Sequence, residues 1–377
     1  MRLPLISFFT GGGFLDLGLE EAGFDTVWYN EFNPDFADMF EYGMSALRKS
    51  VDPSAPAVSV NSRSSIIDLR AGQILFDAFG GAAPARFGVI GGPPCPDFSN
   101  GGRHRGHEGD HGKLSQTYID MVCDLKPSFF LMENVPGLIR NTKHRAFFEK
   151  LRDQLKLSGF ITDFTTLNAL DFGVPQDRNR VFMIGVSNRE WHRLYGKKQS
   201  PQEDGWFPFP KPRFENAKFL PWPGVSTFGA EPVKPRGIPD ELMTIHWLKG
   251  KIDVSKLPNG DEFFIPYSDK FNTVAEGDDS KKSFKRLHRY RYSPTACYGN
   301  NEVHLHPWKP RRLSVREALR IQTIPDEYVL QKTKPLSSKF KMIANGVPRI
   351  LAFEIGRSLI HFLDPLPKRA QKTGTIA

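Results

Sequence analysis

A cysteine behind two prolines and a glutamate at the end of an apolar run are the residues of this chain best set up for covalent chemistry. The cysteine lies in Gly91-Gly92-Pro93-Pro94-Cys95-Pro96-Asp97-Phe98-Ser99, after an apolar run over 87–90 and before a loop rich in Gly, His and Arg. Proline fixes its own φ and biases its predecessor toward extended geometry, so the thiol sits on a backbone with little freedom. The glutamate closes Phe129-Phe130-Leu131-Met132-Glu133-Asn134-Val135, a second apolar run. A cysteine alone could be an inert turn residue. The pairing argues otherwise, because reactive groups in open α/β sheets collect at the carboxyl ends of strands. There a thiol can attack while a carboxylate works as acid or base.

Those two runs need a sheet to hold them. Strands are expected over 3–9, 26–29, 66–69, 89–90, 129–132 and 181–186, with helices over 15–22, 116–125 and 144–157. This alternation predicts an α/β, doubly wound parallel sheet. After about residue 188 the texture changes. Residues 200–270 are crowded with Pro, Gly, Trp and Phe, which predicts a smaller, irregular or β-rich second domain. Helices return over 314–322 and 350–362, and the tail over 367–377 is basic and polar.

The chain has 377 residues, enough for one large core and a second, smaller one. No apolar run nears the ~20 residues of a membrane span. The apolar start over 3–9 runs into a glycine turn without a cleavage site, so it reads as a core strand rather than a signal peptide. Cys95, Cys123 and Cys297 are too scattered for a disulfide framework or a zinc site. A reducing, cytoplasmic setting is expected, with no metal. The net charge of +9 points to a polyanionic partner. Residues 281–292 interleave cations with aromatics, a pattern suited to phosphate and base contact and equally to a solvated basic face.

Phe8-Phe9-Thr10-Gly11-Gly12-Gly13-Phe14 links the first strand to the first helix, where glycines let a ligand approach the backbone. The next strand ends in Asn30-Glu31, a place where a carboxylate commonly binds ribose hydroxyls. From these features a nicotinamide, a flavin or S-adenosylmethionine are all open.

With the glycine turn, the Pro-Pro-Cys loop and the Glu-Asn-Val strand end in this order, the chain resembles the cytosine 5-methyltransferases of DNA. Asp171-Phe172-Gly173-Val174-Pro175-Gln176-Asp177-Arg178-Asn179-Arg180 is similar to the family's Gln-x-Arg-x-Arg element. Arg311-Arg312-Leu313-Ser314-Val315-Arg316-Glu317, with Gln322 and Pro325-Asp326, resembles the element beside its target recognition domain. Asn345-Gly346-Val347-Pro348 resembles the closing cofactor-site element, so the likeness spans nearly the whole chain. There are departures: Ser7 stands where the family usually has Asp, Phe14 and Ala344 where it has Gly, and Pro96 where it has Gln.

The resemblance implies a methyltransferase sheet over 1–188, completed by 340–377, and a target recognition domain with its adjoining element over 189–339. It implies S-adenosylmethionine as cofactor, held by Phe9, Thr10, Gly11, Gly13, Glu31, Phe32, Asp68, Leu69, Pro94, Leu114, Asn345 and Val347. It implies Cys95, Glu133, Arg178 and Arg180 as the catalytic set, acting on a cytosine flipped out of double-stranded DNA, with the loop over 99–113 closing behind it. A compact, monomeric restriction-modification enzyme without a large N-terminal regulatory domain is expected, with a cognate endonuclease acting separately. The alternatives are the tRNA-directed branch, whose Cys-Phe-Thr signature is missing, and a non-catalytic DNA-binding relative, which would be expected to lose Cys95 or Glu133. A dehydrogenase would leave every motif beyond the glycine turn and Glu31 unexplained.

Overall fold

The computed structural model describes residues 2–94, 110–199, 204–281, 283–296, 298 and 304–364. Cys95, Cys297 and most of the loop expected to close over the base lie outside them.

The strands are β1 (Leu3–Phe8), β2 (Phe24–Asn30), β3 (Gly88–Gly91), β4 (Phe129–Asn134), β5 (Phe160–Asn168) and β6 (Asn179–Ser187), with two-residue β7 (Lys285–Arg286) and β8 (His304–Leu305). Helices α1 (Phe14–Ala22), α2 (Pro34–Val51), α3 (Ala71–Phe79), α4 (Asp110–Leu125), α5 (Gly137–Arg140), α6 (Thr142–Leu157) and α7 (Asn188–Tyr195) alternate with the six sheet strands. Short α8 (Thr244–Lys249) and α9 (Lys270–Thr273) follow, then α10 (Val315–Ile321), α11 (Leu336–Asn345) and α12 (Arg349–Leu363).

The large sheet runs β2-β1-β3-β4-β6-β5. It is mixed rather than all parallel, because β6 pairs antiparallel with both β4 and β5. Only a short 3-10 turn, Ala169–Phe172, lies between β5 and β6, too little chain for a parallel crossover. The strand expected over 66–69 is instead a 3-10 turn, Ile66–Asp68, started by the Ser65 side chain accepting from the Ile67 amide.

Alternate residues of each strand face opposite layers. Leu5, Ile90, Leu131 and Ile184 pack with Leu351, Ile355 and Leu359 of α12. Ile6, Val89, Phe130 and Met183 pack with Val122 of α4 and Phe148 and Leu151 of α6. A third cluster joins Phe40 and Met44 of α2 to Leu319 of α10 and Ile343 of α11.

Residues 204–335 are irregular, as expected, but they are not β-rich: among the described residues their strands are only β7 and β8. A chain without ladders leaves buried carbonyls that still need donors. Buried arginines supply them. Arg286 donates to the carbonyls of Val274 (2.7 Å), His306 (2.6 Å) and Phe271 (2.5 Å). Arg316 donates to Pro258 (3.1 Å), Pro325 (3.1 Å) and Tyr328 (2.8 Å).

Candidate active site

β3 and β4 run side by side with Gly91 opposite Met132, which sets Gly92 beside Glu133. The fit is close: a Cβ at Gly92 would lie 2.9 Å from Glu133 Oε2. The Asn134 amide donates to the Pro93 carbonyl at 3.5 Å. The proline pair that leads into Cys95 is thus fastened to the strand end that carries the carboxylate.

Arg180 arrives from the first residues of antiparallel β6. Its Nε lies 2.8 Å from Glu133 Oε1, and its Nη1 donates to the Asn179 carbonyl at 2.7 Å. Glu133 is 8% exposed. Burial pushes its carboxyl above the usual carboxylate range, opposed first by the charge of Arg180 and then by that of Arg178. A carboxyl biased toward its neutral form can both donate and accept a hydrogen bond.

Arg178 and Arg180 part company. Arg178 is fully buried and donates to the carbonyls of Ala344 (2.8 Å) and Asn345 (3.3 Å) at the end of α11. It reaches Glu133 through its field, whereas Arg180 touches it. Gln176 extends the same bracing: its Nε2 donates to Gln322 Oε1 at 3.2 Å, and Gln322 Nε2 donates to the Ile343 carbonyl at 2.6 Å. Sequence reading quoted both glutamines as motif letters without seeing that they meet. Their pairing across 146 positions leaves no local signal.

The glycine turn and the end of β2 come together beside this site. Glu31 Oε2 accepts from the Gly11 amide and Oε1 from the Asn33 amide, both at 2.7 Å. Burial pushes its carboxyl up, and these amides pull it back. Two donors leave a carboxylate room to accept more. Phe32 is 67% exposed among the described residues, an open apolar ring. Phe9 takes a left-handed φ of 54°, a strained geometry for a non-glycine residue at the turn. Gly13, at φ 70°, admits no side chain, because a Cβ would lie 2.5 Å from the Phe40 ring.

Phe9, Leu69 and Leu114 are partly buried on one shared cluster, and Asp68 is exposed. Thr10 is buried, Pro94 half-buried and Asn345 exposed, while Val347 is buried in the core with Leu351 and Ile355. An exposed ring beside a carboxylate with spare acceptor capacity fits an adenosine group.

Two of the departures, Phe14 and Ala344, have physical accounts, and Pro96 lies outside the described residues. The Phe14 ring packs edge-on against Tyr328 with centroids 5.6 Å apart and occupies the space a Cβ would need at Gly346. The Tyr328 hydroxyl in turn donates to the Gly12 carbonyl at 2.8 Å. Ala344 offers Arg178 a backbone carbonyl, which any residue could provide.

The basic stretch 281–292 turns partly inward. Arg286 is fully buried, and Arg289 pairs with the buried Glu276 at 2.8 Å, so neither is a free phosphate ligand.

The sequence profile of the family described as C-5 cytosine-specific DNA methylase matches residues 3–361. The chain belongs to that family. As a C-5 cytosine-specific DNA methylase it is an enzyme that uses a methyl donor and acts on DNA. Type II methyltransferase M.NmeDI of Neisseria meningitidis serogroup C is 40% identical over 377 residues, covering 98% of this chain and 86% of its own. Type II methyltransferase M.MthTI of Methanothermobacter thermautotrophicus is 29% identical over 374 residues, covering 95% and 97%. Among solved structures, a DNA modification methyltransferase encoded within an E. coli prophage matches this methylase with a TM-score of 0.64. It is 24% identical and covers 96% of this chain and 99% of its own. The S. pombe Dnmt2 methyltransferase matches with a TM-score of 0.57 at 12% identity, covering 96% and 98%. These likenesses give the fold. Among the described residues no helix is long and apolar enough to cross a membrane.

Proposed function

We propose that this methylase modifies carbon 5 of a cytosine within one short duplex sequence, with Cys95 as nucleophile, Glu133 as acid and hydrogen-bond partner, and Arg180 as its fixed cation. The observation that carries the assignment is the 2.8 Å Glu133–Arg180 pair on the strand end beside Gly92-Pro93-Pro94. The target base must first leave the stack, because its edge is unreachable inside a duplex.

The Cys95 thiolate then adds to carbon 6. Neutral Glu133 donates its proton to ring nitrogen 3 and accepts from the exocyclic amine, so the electron pair displaced by addition ends on a protonated ring. Carbon 5 becomes an enamine carbon able to attack. S-adenosylmethionine, when bound, supplies an electrophilic methyl group. Loss of the carbon 5 proton to water re-forms the double bond and expels Cys95 as thiolate, and ring nitrogen 3 returns its proton to Glu133. Arg180 holds Glu133 in place and faces the ring oxygen, while Arg178 positions the closing cofactor element by gripping its carbonyls. Phe9, Thr10, Gly11 and Gly13 of the turn would hold the donor, with Glu31 for its ribose, Phe32 for its adenine and Asp68 and Leu69 beside them. Pro94, Leu114, Asn345 and Val347 complete the pocket.

Residues 189–339 read the DNA sequence, and 1–188 with 340–377 carry out the chemistry. The Type II relatives support a restriction-modification role, and we read the enzyme as a monomer with a separate endonuclease. Purified protein with labelled S-adenosylmethionine and unmethylated genomic DNA tests the reading, with Cys95→Ser as control and bisulfite sequencing of the product. Label at carbon 5 in one short sequence, absent in the control, is the expected result. Label on tRNA alone, or undiminished label with Cys95→Ser, overturns it.

A further inference from the structure

Where the family usually has a strand aspartate, Ser7 of β1 is buried, and a carboxyl arrives from α1 instead. Asp16 is 1% exposed, and its Oδ1 has no hydrogen-bond partner among the described residues. The Ser7 hydroxyl lies beside this carboxyl as its side-chain hydrogen-bonding neighbour. Ser7 Oγ is also 3.2 Å from Thr10 Oγ1. Thr10 opens the glycine turn: its amide donates to the Asn30 carbonyl at 3.1 Å, and its carbonyl accepts from Gly13 at 2.8 Å.

We propose that Asp16, Ser7 and Thr10 form a buried relay beneath the glycine turn, in which the protonation state of Asp16 sets the direction of the Thr10 hydroxyl and so the affinity for the methyl donor. Asp16 is a positioning residue here, acting through Ser7 and Thr10. The inference rests on the glycine turn being the donor site.

The hydrogen-bond inventory fixes the direction of the effect. An ionised carboxylate only accepts, so it takes the Ser7 O–H, Ser7 Oγ takes the Thr10 O–H, and the Thr10 proton is tied inward. A neutral carboxyl can donate to Ser7. Ser7 then donates to Thr10, whose O–H is free to meet the carboxylate of an amino-acid-bearing donor. Neutral Asp16 is therefore the tight-binding form.

The surroundings place the change near neutrality. Burial pushes Asp16 up to about 7, opposed by the Ser7 hydrogen bond, reinforced by Glu20 and weakly countered by Arg48. Glu20 shares α1 with it, and Arg48 faces it from α2. Tyr29 of β2 and Tyr328, beyond α10, are raised in part by the Asp16 charge and stay neutral. An unpartnered buried oxygen suits a carboxyl that carries a proton for part of the range.

Two measurements test the relay. In calorimetric binding of S-adenosylhomocysteine between about pH 6 and about pH 8.5, the dissociation constant of the parent chain is expected to rise roughly three- to tenfold. Asp16→Asn and Ser7→Ala should each flatten that profile. In the second measurement, melting of the ligand-free protein, the folded state holds a proton that an unfolded Asp, with pKa about 4, gives up. Asp16 therefore makes stability fall as pH rises from about 4 to about 7. Asp16→Asn should remove this slope while Ser7→Ala keeps it, so Ser7→Ala separates the relay from the bare titration even where Asp16→Asn folds poorly. A flat parent binding profile, or a binding profile as steep as the parent's in either variant, overturns the relay. Failure to bind S-adenosylhomocysteine at any pH overturns the donor-site reading beneath it.

Discussion

In and beside the sheet, Leu5, Ile90, Leu131 and Ile184 are fully buried against helices, and two buried carboxyls, Asp16 of α1 and Glu133 of β4, are pushed toward neutrality by burial. In the irregular region from 204 to 335 the buried groups that bind the chain together are charged. Arg286 and Arg316 fill their pockets by donating to carbonyls, and Lys339 of α11 meets Glu262. Arg311 pairs with Glu317 at 2.7 Å. The difference follows from hydrogen bonding. Strand ladders satisfy the backbone internally and leave side chains free to be apolar, whereas irregular backbone needs side-chain donors.

The two regions therefore answer pH in opposite directions. Glu317 loses protons more readily than an ordinary Glu once its opposing burial is outweighed by Arg311 and His306. Burial pushes His288 down to about 4 and His304 to about 3. For the two histidines the unfolded chain binds more protons at mildly acid pH, so stability is lost as pH falls below about 6.5, and Glu317 adds its loss only below about 4.5. For Asp16 the sign is reversed, and acid favours the fold down to about pH 4.

The largest expected effect separates the chemistry of the two regions. Glu133→Gln should slow methyl transfer about 10²–10⁴-fold in single-turnover assays while DNA binding and melting temperature hold. A variant as fast as the parent would move the acid–base chemistry out of the sheet. Next comes stability: Arg286→Met strands the carbonyls of Val274, His306, Lys309 and Phe271 and should cost about 3–5 kcal/mol in denaturant unfolding. That is comparable with Leu131→Ala in the sheet core, at about 2–5 kcal/mol. A near-neutral Arg286→Met would break the contrast between cation-held and apolar-held regions.

A smaller effect is read by hydrogen exchange between about pH 7 and about pH 5, corrected for intrinsic rates. Protection around β7 and α10 should drop, by on the order of 1 kcal/mol for each buried histidine, while β1 and α1 should not lose protection. The smallest comparison uses helix starts. Asn33 caps α2, and Ser314 caps α10 with Glu317 in a capping box. Replacing either with Ala should cost about 1 kcal/mol, because local capping is the same chemistry in both regions. A markedly larger loss at Ser314 would show the box coupled to the Arg311–Glu317 pair.

Much of the sheet was legible because β1, β3, β4 and β6 are short apolar runs, and α1 ends at a glycine. β5 was missed because Thr162, Asp163, Thr165 and Thr166 interrupt its apolar residues. The turn over 66–69 looked like a strand because two isoleucines say nothing about the Ser65 cap. Cys95 and Glu133 were found from type and neighbours. That Arg180 rather than Arg178 contacts Glu133 was not, because nothing local in the motif says that Arg178 precedes β6 and Arg180 lies within it.

By itself the sequence determined the order of chemical groups: a constrained thiol, a strand-end carboxylate, a glycine turn and a carboxylate at the next strand end. These depend on local backbone rules and residue chemistry. Only the tertiary structure decided what each charge does. Arg286 and Arg289 read as surface cations and are bound inside, and Asp16, within the helix expected over 15–22, lies buried beside Ser7. Burial and distant partners fix the state of a charge, and neither is written in the residues next to it.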